Sequence, residues 1–440
     1  MKLIYSLIIL VLLQNCSFDN KTGIWKNTDQ VSKKKNNIFK EFKEISPLKE
    51  SFNKIISLDK NHKFKKNSSI NNTEWKDIYF NDSNNLKNFK YRNLNELIFK
   101  SKKITSSKIN KYILFEKDNL ITSDNRGNIF VFSLNKNEVI SKFNFYKKKY
   151  KKIDKDLNVF VENNIIYISD NFGYIYAFNY KKNKLLWAQK YKIPFRSNLK
   201  ISNNKIILSN QNNFLLFINK SNGKILKTIP TEESIVKNSF INNIAIKENN
   251  TFFLNTYGSL YSLNNQSMSI NWFINLNQSL DINPSNLFNS NQFLIFENKI
   301  IIPAKTNLYI IDLITGSIIS KKNFTSSLKP VILNNILFSI HNNLLVATDL
   351  NNSKIIYSYD INQLIADFLN SKKKEVEFKA LMLANDQLFI FLKNSFVLKF
   401  DINGTLNKID KLPTKINSLP IFISKSIIFL NNKNKISVIN

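Results

Sequence analysis

The segment NNIIYISDNFGYIYAFNYKKNKLLWAQKY, residues 163–191, decides the fold. Residues 165–168 form an apolar run, a polar turn holding Gly173 follows, and a second run covers 174–178. Another polar turn leads to a third run that includes Trp187. Each run is short, rich in β-branched and aromatic residues, and bounded by Asn, Asp, Gly or Lys, which predicts strands and not helices. A further short run precedes some copies (157–161, 330–333) and supplies a candidate fourth strand. Strands joined by tight turns make an antiparallel meander, which cannot bury both of its faces alone.

The neighbours it needs are in the same chain. Related stretches begin at Asn119, Asn203, Asn249, Asn298, Asn334, Asn385 and Lys425, so the unit occurs eight times. The period is roughly 40–50 residues, the range of propeller blades. Six of the seven glycines fall in register: Gly127, Gly173 and Gly258 at the first turn, Gly223, Gly316 and Gly404 at the second. Asn213, Asn307, Asn343 and Asn394 stand where copies lack glycine, as expected of the next residue to tolerate a positive φ. The last copy stops after its second strand, while NELIFKSK (95–102), ahead of the first copy, aligns without a gap on the third strand NKLLWAQK (183–190). The expectation is an all-β, eight-bladed β-propeller of four-stranded antiparallel blades, its last blade closed by an N-terminal strand. Closure removes the free sheet edges. An open solenoid of the same units is the alternative.

The chain divides into three stretches. Residues 1–16, MKLIYSLIILVLLQNC, carry an apolar run too short to span a bilayer and suited to the core of a secretory signal. Cys16 is the only cysteine. Its position resembles the lipobox of bacterial lipoproteins, with Leu13 fitting and Asn15 replacing the usual small residue, so acylation of Cys16 is expected. Ordinary secretion with an incidental thiol is the alternative. Residues 17–73 are rich in Lys and Asn, with helical spacing over 36–51, and predict a polar tether, partly helical or disordered. Residues 74–440 form the propeller. Residues 231–249 and 364–383 are the longest interruptions between repeats and predict projecting loops, the second with a short helix from Leu364.

The net charge of +32 is a field that attracts anionic surfaces. The lysines are scattered through turns and not gathered in a stripe with interleaved aromatics, so nucleic acid is not the expected partner; compositional bias toward Lys, Asn, Ile and Phe accounts for them. Of the two histidines, His341 is expected in a solvated turn. No metal-ligand spacing, nucleophile motif or phosphate loop is present. Asp118, Asp124, Asp170, Asp312, Asp349 and Asp401 fall at turns or strand ends, where Asp bonds local backbone.

The repeat, an apolar run followed by N/D-x-G-x-[IL]-[YF]-A-[FL]-[ND] and a second turn, resembles the pyrroloquinoline-quinone-type propeller repeat from about Trp75 to the C-terminus. A lipobox, a polar tether and eight such blades resemble the BamB-type lipoproteins of the outer-membrane β-barrel assembly complex, and CSFDNKTGIWK resembles alphaproteobacterial members. Residues 74–81 stand where those proteins carry a Trp-led motif. The resemblance implies a non-catalytic scaffold with no cofactor, anchored at the periplasmic face of the outer membrane and monomeric outside its complex. It implies binding to POTRA modules of a BamA-like barrel protein. One contact loop of that family carries apolar-x-apolar-Arg, which Ile193, Pro194, Phe195 and Arg196 match in type and place. An apolar anchor beside an arginine is common hot-spot chemistry. A second family loop carries acids, but Phe240, Ile241, Asn242 and Asn243 supply none. The rival class, a quinone-dependent dehydrogenase, shares the repeat but needs a calcium site, a catalytic carboxylate and in many members a vicinal cysteine pair, which one cysteine cannot supply. A propeller binding another envelope component is the third reading.

Overall fold

The computed structural model describes residues 16–18, 25–27, 52–146, 150, 152–233, 241–277 and 287–440. Two compact units divide at Glu50 and Ser51. In the first, Cys16–Phe18 pairs antiparallel with Trp25–Asn27. The expected signal peptide up to residue 15 and the helical spacing over 36–51 lie outside the described residues.

In the second unit the repeats become eight sheets that form the blades of a propeller. Blade 2 shows the plan: Leu157–Glu162, Ile165–Asp170, Tyr174–Asn179 and Lys184–Lys190, paired in that order. The short run ahead of each copy is therefore the first, innermost strand. The two middle strands are buried almost throughout, Ile166, Ile168, Ile175 and Phe178 to 0% exposure. They read as continuous apolar runs because both blade faces pack on neighbours. The outer strands alternate with solvent, so their sequences mix Lys with apolar residues.

Every blade carries a bulge at the same place, between its third and outer strands. In blade 2, Ala177 pairs with Trp187 and Phe178 with Leu185, so Leu186 is the extra residue. In blade 8, Val438 pairs with Phe99 and Ile439 with Leu97, leaving Ile98. The gapless alignment of residues 95–102 on 183–190 places Phe99 on Trp187 and Ile98 on Leu186, so the N-terminal strand reproduces even the bulge. It is a true fourth strand that closes the ring. The extra residues Ile98, Ile140, Leu186, Leu226 and Ile319 are exposed at the rim, as are the adjacent Leu97, Val139, Ile225 and Ile318.

The glycines join blades to one another. A Cβ on Gly223 (φ +74) would lie 2.5 Å from the Trp187 ring of the preceding blade, and one on Gly316 would lie 2.6 Å from Trp272. Trp187 Nε1 donates to the Lys220 carbonyl at 3.0 Å. The outer-strand aromatic of one blade thus sits flat on the second turn of the next. Among the asparagines, Asn213 adopts φ 70, while Asn342 (φ 54) and Ser395 (φ 72) take the left-handed position one residue from Asn343 and Asn394, and Asn307 does not adopt a positive φ. Asp124, Asp170, Asp312 and Asp349 accept from local backbone amides as expected, whereas Asp118 and Asp401 accept from the side chains of Asn135 and Gln387.

Three features differ from the sequence reading or add to it. His341 is not solvated. It ends the strand Ile336–His341 at 5% exposure, where Nδ1 accepts from the Thr325 amide and burial lowers its pKa. The helix Ile361–Phe368 starts three residues before Leu364 because the Asp360 side chain caps the Gln363 amide. Residues 52–73 run along the propeller: Ile56 pairs with Ser358 of the blade 6 outer strand, and Ile70 with Phe89.

Candidate functional site

The upper face, where outer strands hand over to the next inner strands, carries the loop over residues 191–196. Its backbone is fixed on three sides. Tyr191 donates to the Gly173 carbonyl at 2.7 Å, Phe195 to Asp170 at 3.0 Å, and Arg196 to Ser209 at 3.0 Å. Asn242, at the start of blade 4, donates to the Arg196 carbonyl at 2.8 Å.

The four candidate residues separate here. Phe195 is 2% exposed, within a cluster that includes Phe160, Tyr167 and Leu199, and its ring meets Tyr191 edge-on at 5.9 Å. It anchors the loop from below and offers no side chain to a partner, which corrects the expectation of a surface contact. The apolar-x-apolar pattern did not say which side chain turns inward. Ile193 and Arg196 are half-buried at the surface, and the buried Arg196 Nε has no hydrogen-bond partner among the described residues. Cys16 lies in the separate N-terminal unit.

Gly173 sets the height of this loop. Its φ is +78, and a Cβ there would lie 2.6 Å from the Ile193 carbonyl oxygen. Gly173→Ala is expected to cost about 1–2 kcal/mol from φ alone and to displace residues 191–196. Urea unfolding together with cleavage by a protease specific for Arg196 reads both effects.

The next connection has its own acid, Glu232. It faces inward: Oε1 accepts from Ser259 at 2.5 Å, and Oε2 from Tyr261 at 2.7 Å and Asn255 at 2.8 Å. Burial opposes its charge, but these donors outweigh burial and hold its pKa below the ordinary 4.5. A depressed pKa contributes stability that is complete above the unfolded value and lost as pH falls through the folded one. Glu232→Gln should therefore flatten the fall of the urea midpoint below about pH 4.5.

The main unforeseen feature fills the axis. Residues 72–91 form a plug whose partners come from all eight blades. Trp75 pairs with Phe115 and Asp77 with Phe160. Asp82 and Ser83 carbonyls accept from Ile246 and Ile295, and Asn84 Nδ2 donates to Ile244 and Phe293 carbonyls. Asn88–Phe89 adds a parallel strand to blade 7, and the Phe89 ring stacks on Phe422 of blade 8 at 5.5 Å. Two lysines complete the set. Lys200 Nζ of blade 3 lies 2.6 Å from both Asp77 Oδ2 and the Asn81 carbonyl, and Lys329, ahead of blade 6, donates to the Tyr79 carbonyl at 2.9 Å. The Trp-led stretch is thus a structural core piece. Its dense run of Trp75, Ile78, Tyr79 and Phe80 after a polar tether was the available signal.

A family model described as outer membrane protein assembly factor BamB matches residues 125–359. The chain belongs to the BamB family. Among solved structures, BamB from Moraxella catarrhalis is similar at TM-score 0.60 and 10% identity, covering 77% of this chain and 99% of that one. A quinohemoprotein alcohol dehydrogenase from Pseudomonas putida HK5 is similar at TM-score 0.62 and 9% identity, covering 84% and 80%. The computationally designed Ika8 protein reaches 0.60 at 11% identity, covering 78% and 99%. At such identities these three share the fold alone. No curated protein matches the sequence significantly. Among the described residues, no group of three or more His, Cys, Asp or Glu is placed to hold a metal ion.

Proposed function

We propose that this chain is a non-catalytic scaffold at the periplasmic face of the outer membrane, anchored through an acylated Cys16 with residues 17–73 as its tether, of which residues 52–73 run along the propeller. In this reading it binds the POTRA modules of a BamA-like barrel protein and assists insertion of outer-membrane proteins. Family membership supports the setting. The observation that carries the contact is Arg196: a half-buried side chain in the loop that also holds Ile193, on a backbone fixed by hydrogen bonds to Gly173, Asp170 and Ser209. A guanidinium held in this way presents a fork that a partner's carboxylate or carbonyl can meet by charge-assisted hydrogen bonds.

The dehydrogenase reading rests on shared fold. Against it stand the single cysteine and an axis filled by the protein's own segment. The test is co-purification of the barrel protein with tagged wild type and with Arg196→Glu. Retention by wild type and at least ten-fold loss with Arg196→Glu is expected. Equal recovery removes Arg196 from the contact, and no recovery from either removes the assembly role.

A further inference from the structure

The plug does not reach the level of the upper face. Above it lies a cavity of about 360 Å³, within the size range of small-molecule sites. Its floor is apolar: Trp75, Ile78 and Leu86 from the plug, with Ala380 and Met382 of blade 7 on one wall. Tyr112 and Gln292, hydrogen-bonded to each other at 3.0 Å, stand on the other side. Among the described residues four lysines line it, Lys111, Lys329, Lys379 and Lys393, and no Asp or Glu does. The larger cleft of about 780 Å³ on the opposite face has polar walls that include Asp349 and Glu297, so it lacks this asymmetry.

The two inner lysines are short of counter-charge. Lys329 donates to the Tyr79 carbonyl and Lys379 to the Asn417 carbonyl at 2.6 Å; neither pairs with a carboxylate among the described residues. Burial pushes the Lys329 ammonium down to about 7, Lys200 adds repulsion, and Asp77 opposes both. Burial also lowers Lys379, with Lys393 and Lys111 adding to it. Among the described residues Lys393 is the one lysine of the four that pairs with a carboxylate, the exposed Glu377 at 3.1 Å. Both ammonium groups are half-buried, where a cation without an anion is disfavoured, and they sit at the edge of an apolar hole large enough for a ligand.

We propose that this cavity binds a small amphiphilic carboxylate, its apolar body on Trp75, Ile78 and Met382 and its carboxylate between Lys329 and Lys379. The plug closes the far end, so the ligand enters and leaves by the upper face alone. The experiment is titration calorimetry on the full chain carrying Cys16→Ser, which avoids detergent, with octanoate and 1-octanol as probes. The expected result is one octanoate per chain, bound at least ten-fold more tightly than octanol. Lys329→Met/Lys379→Met should lose at least ten-fold for octanoate and bind the two probes alike, while Lys136→Met, at an exposed turn, changes nothing. Lysine-to-methionine changes here remove charges that pair with no carboxylate among the described residues, so the fold is retained and the melting temperature checks it. Unsaturable uptake, equal affinity for both probes, or full octanoate affinity in the double variant would each overturn the assignment.

Discussion

Lys200→Met is expected to lower the stability of the propeller by about 3–5 kcal/mol, the usual cost of stranding one member of a buried ion pair. The pair is closed to solvent, with Lys200 at 0% and Asp77 at 2% side-chain exposure and 2.6 Å between them. Removing the ammonium leaves the Asp77 carboxylate with the Tyr79 amide at 2.7 Å but without its ion-pair partner. It also frees the Asn81 carbonyl. Asp77→Asn in the same chain removes the stranded charge while keeping an acceptor for Tyr79, and should return much of the loss. Urea midpoints of wild type, single and double variants measure this. A single variant within about 1 kcal/mol of wild type would mean that the pair does not fix the plug, since losses from a stranded buried charge are several-fold larger.

Phe195→Ala should cost about 3–5 kcal/mol, as for other fully buried aromatics, and Arg196→Gln less than about 1 kcal/mol, as for surface changes. The two residues are adjacent, yet one fills a gap between blades 2 and 3 and the other lies at the surface. The variants therefore separate stability from binding at one site. Any loss of partner with Phe195→Ala arises through the loop collapsing into the space left by the ring, so it should vanish on cooling well below the variant's melting temperature. Arg196 variants should show no such temperature dependence. Similar melting curves for both variants would contradict this division.

The parts of the fold that repeat were legible in the sequence. A blade is built from local hairpins, so its strands, its glycine turns and even the bulge at Leu186 and Ile98 recur at fixed spacing, and one copy predicts another. Ring closure was legible for the same reason, because a fourth strand taken from the wrong end of the chain still looks like a fourth strand. The plug was not. Residues 72–91 bond to backbone groups around the ring and to the side chains of Lys200 and Lys329, contacts that leave no period. Asn84 makes its two bonds to carbonyls 160 and 209 residues away. His341 was misplaced because the polar HNN that suggests a turn begins one residue inside the strand. Phe195 was misplaced because alternation along a loop, unlike alternation along a strand, has no fixed inner face.

The most direct measurement of the assembly reading is site-specific photo-crosslinking in the native envelope from position 193, with position 314 as control. Ile193 sits beside Arg196 on the upper face, and Ile314 is 68% exposed at the second turn of blade 5. The account predicts an adduct with the POTRA-bearing barrel protein from position 193 and little from 314. Equal yields from both positions, or no barrel-protein adduct from 193, would contradict it.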